Sequence, residues 1–167
     1  LMATTTSYDP QAELRRQRSV AEWVVQHGGV VEVKVGDQDP ARFVEVLHLP
    51  KEDFFVKEIN LYGQEFPEND LRQLHNLRSL EVLDLSRTTI TDAGMRYVAS
   101  LPELRKLYLR KGNVTQAGLK ALPFGAQLVT LSVSGSAKFG DAECHCVAES
   151  MPNLETLLAA GTSITDE

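Results

Sequence analysis

The sequence predicts an α/β solenoid. It would have a curved parallel β-sheet on the concave side, short helices on the convex side and a helix–strand cap at the N-terminal end. Three observations predict this class. First, "LEVLDLSRTTITDAGM" (80–95) starts with the period-2 leucines of a strand and ends with the polar start of a helix, and the same switch recurs along the chain. Second, residues 8–51, ahead of the first copy, follow a different pattern that suits a cap. Third, 43% of the 167 residues are hydrophobic and 24% are charged, which supplies apolar material for one core and an ordinary charged surface.

Residues 1–7 are polar and Thr-rich, and are expected to form a flexible tail. They have neither the basic nor the apolar segment of a signal peptide. No apolar run approaches the roughly 18 residues that suggest a membrane span. Asp9-Pro10 reads as the N-cap and first position of a helix. Leu14, Ala21, Val24 and Val25 give that helix an apolar stripe. Ser19 with Glu22 also fits a capping box, which leaves open a second helix start there. Gly28-Gly29 is a stop signal, Val31, Val33 and Val35 alternate as a strand does, and residues 36–40 carry turn chemistry. Together, 8–51 are expected to cap the end of a stack that would otherwise expose its core. Residues 52–167 hold about five repeats, the last incomplete, within a single domain.

In the opening stretch, Leu80, Leu83 and Leu85 fit L-x-x-L-x-L, followed by Ile90, Met95, Val98 and Leu101. The pattern returns 24 residues later at Leu104, Leu107, Leu109, Val114, Leu119 and Leu122, and stands 24 residues earlier at Val56, Ile59, Leu61, Phe66, Leu71 and Leu74. A fourth copy runs Leu128, Leu131, Val133, Phe139, Cys144, Val147, stretched by one residue before Phe139 and by another before Met151. A fifth has Leu154, Leu157 and Ile164. In each unit the leucine pair makes a strand, residues such as 86–89 turn the chain, and Ile90 plugs the core. Thr91 or Asp92 accepts from the free N–H groups of a short helix. Met95 and Val98 point inward, Tyr97 outward, and Leu101 closes the return. The slot two residues before the plug holds Gln64, Thr88, Gly112 and Thr162. Thr hydroxyls can satisfy backbone groups there and Gly112 cannot, so the third repeat is expected to have a looser turn.

A period of about 20–29 residues with L-x-x-L-x-L is the leucine-rich repeat signature. "VAEWVVQHGGVVEV" (20–33), followed by TDAG-type repeats, resembles the leucine-rich repeat proteins abundant in planctomycete-type bacteria. "TTITDAGM" and "GTSITDE" also resemble the T-D-x-G-L repeats of cysteine-containing and F-box-associated leucine-rich repeat proteins. The resemblance covers about residues 18–167. It implies the solenoid fold and an interaction surface, and it brings no catalytic residues.

Strand residues pointing away from the core line the concave face. There Arg87, Lys106, Tyr108, Arg110 and Lys111 cluster within two repeats, with Tyr62 one strand further on. These six are the candidate partner-binding residues, and Arg and Tyr are favoured at interface hot spots. On a chain of net charge −6 the basic patch predicts a protein partner with an acidic segment, while bulk charge argues against nucleic acid. The competing reading is a solvated strand face, paired in part with Asp84 and Glu58.

Cys144 falls on the buried Met95 position and Cys146 on another face of its helix. One residue apart, with no further cysteine, they make no zinc site and read as core residues. Two cysteines give no disulfide framework, so a cytoplasmic, reducing location is expected. His27, His48, His75 and His145 are scattered singly, and Trp23 reads as a cap-core residue. Asn113-Val114-Thr115 matches a glycosylation sequon, which matters only in a secreted protein. There is no phosphate-loop, dinucleotide or H-E-x-x-H motif, so neither cofactor nor metal is expected.

The fifth copy has a strand and turn but no helix, and its outward positions Leu158 and Ala160 are apolar. Its open end invites truncation from a longer chain, pairing with another chain, or completion by a partner. The expected function is a non-enzymatic protein–protein interaction module that binds through the concave face. The alternative is a regulatory or substrate-recognition domain of a larger enzyme or signalling protein. A hydrolase built on concave-face residues is a third reading.

Overall fold

A computed structural model describes residues 9–122 and 127–165. The expected tail over 1–7 lies outside them. Helix α1 (Pro10–Gln26) starts as the sequence predicts, with Asp9 Oδ1 accepting from the Gln11 amide at 3.0 Å. No second helix begins at 19–22. Gln17, Val20, Ala21 and Val24 form one buried stripe, and only an unbroken helix keeps it on one face. The Gln17 side chain is fully buried and carries its own partners: its Oε1 accepts from the Val56 amide at 2.8 Å and from Ser79 Oγ at 3.0 Å. Gly28, at φ 76°, ends the helix, and the Gly28 and Gly29 amides close onto Val25 and Val24 carbonyls.

Strand β1 (Val30–Lys34) buries Val31 and Val33, then turns at 36–40 into β2 (Ala41–Phe43), which the alternation did not reveal. The remaining strands are β3 (Phe55–Asn60), β4 (Val82–Asp84), β5 (Lys106–Tyr108), β6 (Thr130–Ser132) and β7 (Thr156–Leu158). They form one sheet in the order β2-β1-β3-β4-β5-β6-β7. It is mixed, not purely parallel as expected: β3 through β7 are parallel, whereas β1 runs antiparallel to both β2 and β3. A short turn can join only antiparallel strands, and the 36–40 turn therefore forces the hairpin. Ile59, Leu83, Leu107, Leu131 and Leu157 stand in register across the five parallel strands, so the leucine spacing sets the pairing.

The chain returns through a 3₁₀ helix over Glu68–Leu74, then α2 (Asp92–Val98), α3 (Gln116–Lys120) and α4 (Asp141–Ser150) in successive units. The plugs Phe66, Ile90, Val114 and Phe139 are buried, and Met95, Val98, Leu119 and Val147 join them in one core that also takes in Trp23 and Val24. Trp23 packs edge-on to Phe66 at 5.6 Å.

Two expectations on the helix side need correction. Cys146 is buried at 3% exposure and Cys144 only half-buried, the reverse of the prediction. Position 146 corresponds to Tyr97, and that position faces the preceding unit: Tyr97 Oη donates to Asn69 Oδ1 at 3.4 Å and the ring packs against the core. Tyr97 is therefore half-buried, not outward. Cys146 joins the buried core, whereas no helix follows α4 among the described residues to cover Cys144. The turn at Gly112 is also not loose. Its amide donates to Leu109 O at 3.1 Å, and the missing hydroxyl is supplied by Ser136 of the next unit, which donates to Leu109 O at 3.1 Å and accepts from the Gly112 amide at 3.2 Å. Thr88 and Thr162 make the corresponding bonds within their own turns, to Leu85 O and Ala159 O.

The polar residues at the helix starts join units as well as capping helices. Thr91 and Thr115 Oγ1 each accept from an amide two residues on, as N-caps do. Each threonine is also held by a carboxylate of the unit before. Glu68 Oε1 accepts from the Thr91 amide at 2.6 Å, from its hydroxyl at 3.0 Å and from the Gly94 amide at 2.9 Å. Asp92 accepts from the Thr115 amide and hydroxyl at 2.7 and 2.6 Å, and Asp141 from those of Thr165, both at 2.8 Å. Gln116 breaks the series; there Glu143 reaches back instead, accepting from the Gln116 amide at 3.2 Å.

These bonds favour the charged carboxylates. Burial pushes the Asp92 pKa up, but the Thr115 hydroxyl and amide bonds outweigh it and the net direction is down. The Thr165 amide and hydroxyl likewise lower that of Asp141. A depressed native pKa stabilises the fold fully above the unfolded value, about 3.9 for Asp, and that contribution is lost as pH falls through the native value. Asp92→Asn is therefore expected to be less stable than wild type at neutral pH. Denaturant titration across pH should show the gap closing below the ordinary Asp pKa; a constant gap would refute a charge-dependent staple.

Candidate functional site

The outward face of the sheet is built by the alternate residues of each strand. The pairing places Glu58, Val82, Lys106, Thr130 and Thr156 in one row and Asn60, Asp84, Tyr108, Ser132 and Leu158 in the next. Beyond the strands the rows continue through Tyr62, Ser86, Arg110, Ser134 and Ala160. There the amides of Gly63, Arg87, Lys111 and Gly135 donate to Ser86, Arg110, Ser134 and Ala160 carbonyls at 2.8–3.0 Å.

The residue at this position must turn the chain, and it does so in the left-handed region in all five units: Gly63, Arg87, Lys111, Gly135 and Gly161 have φ of 69°, 56°, 53°, 74° and 66°. Glycine takes this conformation freely, while an L-residue with a Cβ pays on the order of 1–2 kcal/mol. Two adjacent units thus carry a cation where the other three carry glycine. Arg87→Gly and Lys111→Gly are each expected to raise stability by up to about 1 kcal/mol, strain relief being partly offset by the greater freedom of glycine in the unfolded chain. Chemical denaturation checks this; a loss of stability in both variants would remove the strain argument.

The two strained cations meet at one place. A cavity of about 320 Å³ is lined by Tyr62, Arg87, Arg110, Lys111, Ser134, Gly135 and Ala160. The Arg87 and Arg110 guanidinium groups each lie 5.7 Å from the Tyr62 ring centroid, and Arg110 lies 5.8 Å from that of Tyr108. Arg110 is fixed from below: its Nη2 is 3.2 Å from Asp84 Oδ2 and its Nε donates to Ser86 Oγ at 3.2 Å. Asp84, 8% exposed, is held in turn by the Ser86 amide at 2.8 Å. The Lys111 stem runs over Gly135, where a Cβ would come within 2.9 Å of Lys111 Cγ.

Of the six candidate residues, Tyr62, Arg87, Arg110 and Lys111 line this cavity and Tyr108 stands behind Arg110. Lys106 stands apart. It is four residues before Arg110, about 13 Å along an extended chain, and is exposed on the row of Val82 and Thr130. The pairing of Arg110 with Asp84 is as read, but Glu58 pairs away from the patch: Arg42 of β2 reaches it at 3.2 Å and Glu32 at 3.1 Å. Among the described residues neither Arg87 nor Lys111 has a carboxylate partner. Ser134, Gly135 and Ala160 were missed as lining residues, although their places in the rows were legible; Ala160, read as part of the open end, lines this cavity.

A family model of the leucine-rich repeat matches residues 76–99, the stretch running through β4 and α2. That span is one period of the repeat. No curated protein matches the chain. No helix of the described residues is long and apolar enough to cross a membrane.

Proposed function

We propose that the chain is a leucine-rich repeat solenoid with an N-terminal cap over 8–51, acting as a non-enzymatic protein-interaction module. The partner seats on the outward, concave face of the sheet, over Tyr62, Arg87, Tyr108, Arg110 and Lys111, with Lys106 at the margin. One observation supports this reading above the others: Arg87 and Lys111 hold left-handed turn positions that the other units give to glycine, and both cations face the same cavity. Retaining strain at two neighbouring positions is expected of a surface kept for binding rather than for stability. The matched repeat adds to it, since leucine-rich repeats commonly mediate protein–protein interaction.

The test takes a partner captured from the native cell and measures its affinity for variants of the chain. Attraction between exposed charges is screened over a Debye length of about 8 Å at physiological salt, so affinity should fall as salt rises. Arg87→Glu with Arg110→Glu should slow association, whereas Tyr108→Ala should mainly speed dissociation. The competing surface is the apolar edge at β7, where Leu158 is 46% exposed. If the double charge reversal leaves a salt-tolerant affinity intact and Leu158→Asp destroys it, the edge and not the cationic face is the binding surface. Turnover abolished by a substitution on the outward face would overturn the non-enzymatic reading.

A further inference from the structure

We infer that the cavity between Tyr62 and Lys111 is a phosphomonoester site, which reads a phosphorylated side chain on the protein partner; this rests on the interaction-module reading above. Charge selects the ligand class. Arg87, Arg110 and Lys111 bring three positive charges to the cavity, and Asp84 neutralises one through Arg110. Two remain, which matches the charge of about −1.5 to −2 on a phosphomonoester at neutral pH and exceeds that of a carboxylate.

Geometry points the same way. The cations come from two successive units and Ser134 from a third, so four separate side chains carry donors to the lining, which suits a group with three free oxygens. Arg110 is held by Asp84 and Ser86 before any ligand arrives, which lowers the ordering cost of its part in binding, and Arg87 lies over the Tyr62 ring. A volume of about 320 Å³ is too small for a folded element and suits one side chain. Tyr62, 43% exposed, offers the ligand's carbon atoms a ring face at the rim.

The experiment titrates the chain with O-phospho-L-serine, with L-glutamate and with inorganic phosphate. It then uses paired peptide arrays that differ only in phosphorylation, and follows binding by calorimetry and by arginine side-chain NMR. Expected are at least tenfold tighter binding of phosphoserine than of glutamate, selective shifts of the Arg87 and Arg110 Nε signals, and phosphopeptides bound more tightly than phosphate alone. Arg87→Gly with Lys111→Gly should lose at least tenfold in phosphoserine affinity while remaining folded by circular dichroism. Lys120→Gln on α3 should bind as wild type does.

Equal affinity for phosphoserine and glutamate overturns the inference, as does unchanged phosphoserine affinity in the double glycine variant. Inorganic phosphate bound as tightly as any phosphopeptide also overturns it, since the site would then hold a free ion. The two readings fail separately. A captured partner lost with Arg87→Glu and Arg110→Glu but indifferent to phosphatase sinks the phosphate site alone. Tight phosphopeptide binding by a chain whose captured partner ignores those same changes sinks the assignment of that partner's docking face alone.

Discussion

Leu83→Ala and Leu107→Ala are each expected to destabilise the fold by about 2–5 kcal/mol. Both leucines are fully buried and stand directly opposite one another in the parallel ladder, between Ile59 and Leu131. Neighbouring units fill the space on either side of each, so truncation leaves a void that few groups can move to fill. Lys106 is the internal control, because it is next in sequence to Leu107 and points to the other face of the same strand. Lys106→Ala should cost no more than about 0.5 kcal/mol. Tyr97→Ala should fall between them, since its ring packs on the core and its hydroxyl bonds Asn69 and Arg96. Denaturant unfolding of the four variants settles the order. Equal losses at Lys106 and Leu107 would mean that the assignment of inward and outward residues is wrong.

That assignment was legible in the sequence because one pattern states it several times over. Each L-x-x-L-x-L names an inward pair, and the interval between copies names the partner on the next strand, so the rows of the outward face follow without further information. The row Gly63, Arg87, Lys111, Gly135, Gly161 also held an unread signal. Three glycines at one repeat position mark a left-handed backbone, and that makes the intervening Arg and Lys exceptional.

Other features had no such repetition behind them. β2 is a single, exposed, three-residue strand with no alternation to detect, held partly by Arg42 against Glu32 and Glu58. The antiparallel turn of β1 depends on where the hairpin folds back, which Gly36 allows but does not impose. Burial of Cys146 over Cys144 depends on which neighbouring unit covers a helix face, a property of the stack and not of the helix. The same applies to Gly112, whose missing hydroxyl is replaced by that of Ser136, 24 residues away.

The helix starts at 91–94 (TDAG) and 115–118 (TQAG) show most sharply how a local motif encodes a contact between units, and they support a prediction of sign. Read within one helix, a glycine at the position of Gly94 and Gly118 is a poor choice, about 1 kcal/mol worse than alanine. Across units it is required. A Cβ on Gly118 would stand 2.5 Å from Asp92 Oδ1, 2.8 Å from Val114 Cγ1 and 3.0 Å from Met95 Cγ, and one on Gly94 would stand 2.7 Å from Glu68 Oε1. The glycine makes room for the carboxylate that caps its own helix from the unit before. Gly118→Ala should therefore destabilise by about 1–3 kcal/mol despite its helix propensity, through overpacking and displacement of Asp92. Asp92→Ala should cost a similar amount, about 1–3 kcal/mol, because the Thr115 amide and hydroxyl lose their acceptor. In the double variant the nearest obstacle to the new Cβ is gone, and only the crowding against Val114 and Met95 remains. The combined loss should then be smaller than the sum of the single losses by at least about 1 kcal/mol, a coupling expected only of residues in contact. Additive losses in that cycle would mean that the glycine serves some need other than the carboxylate, and that the units are not stapled in this way.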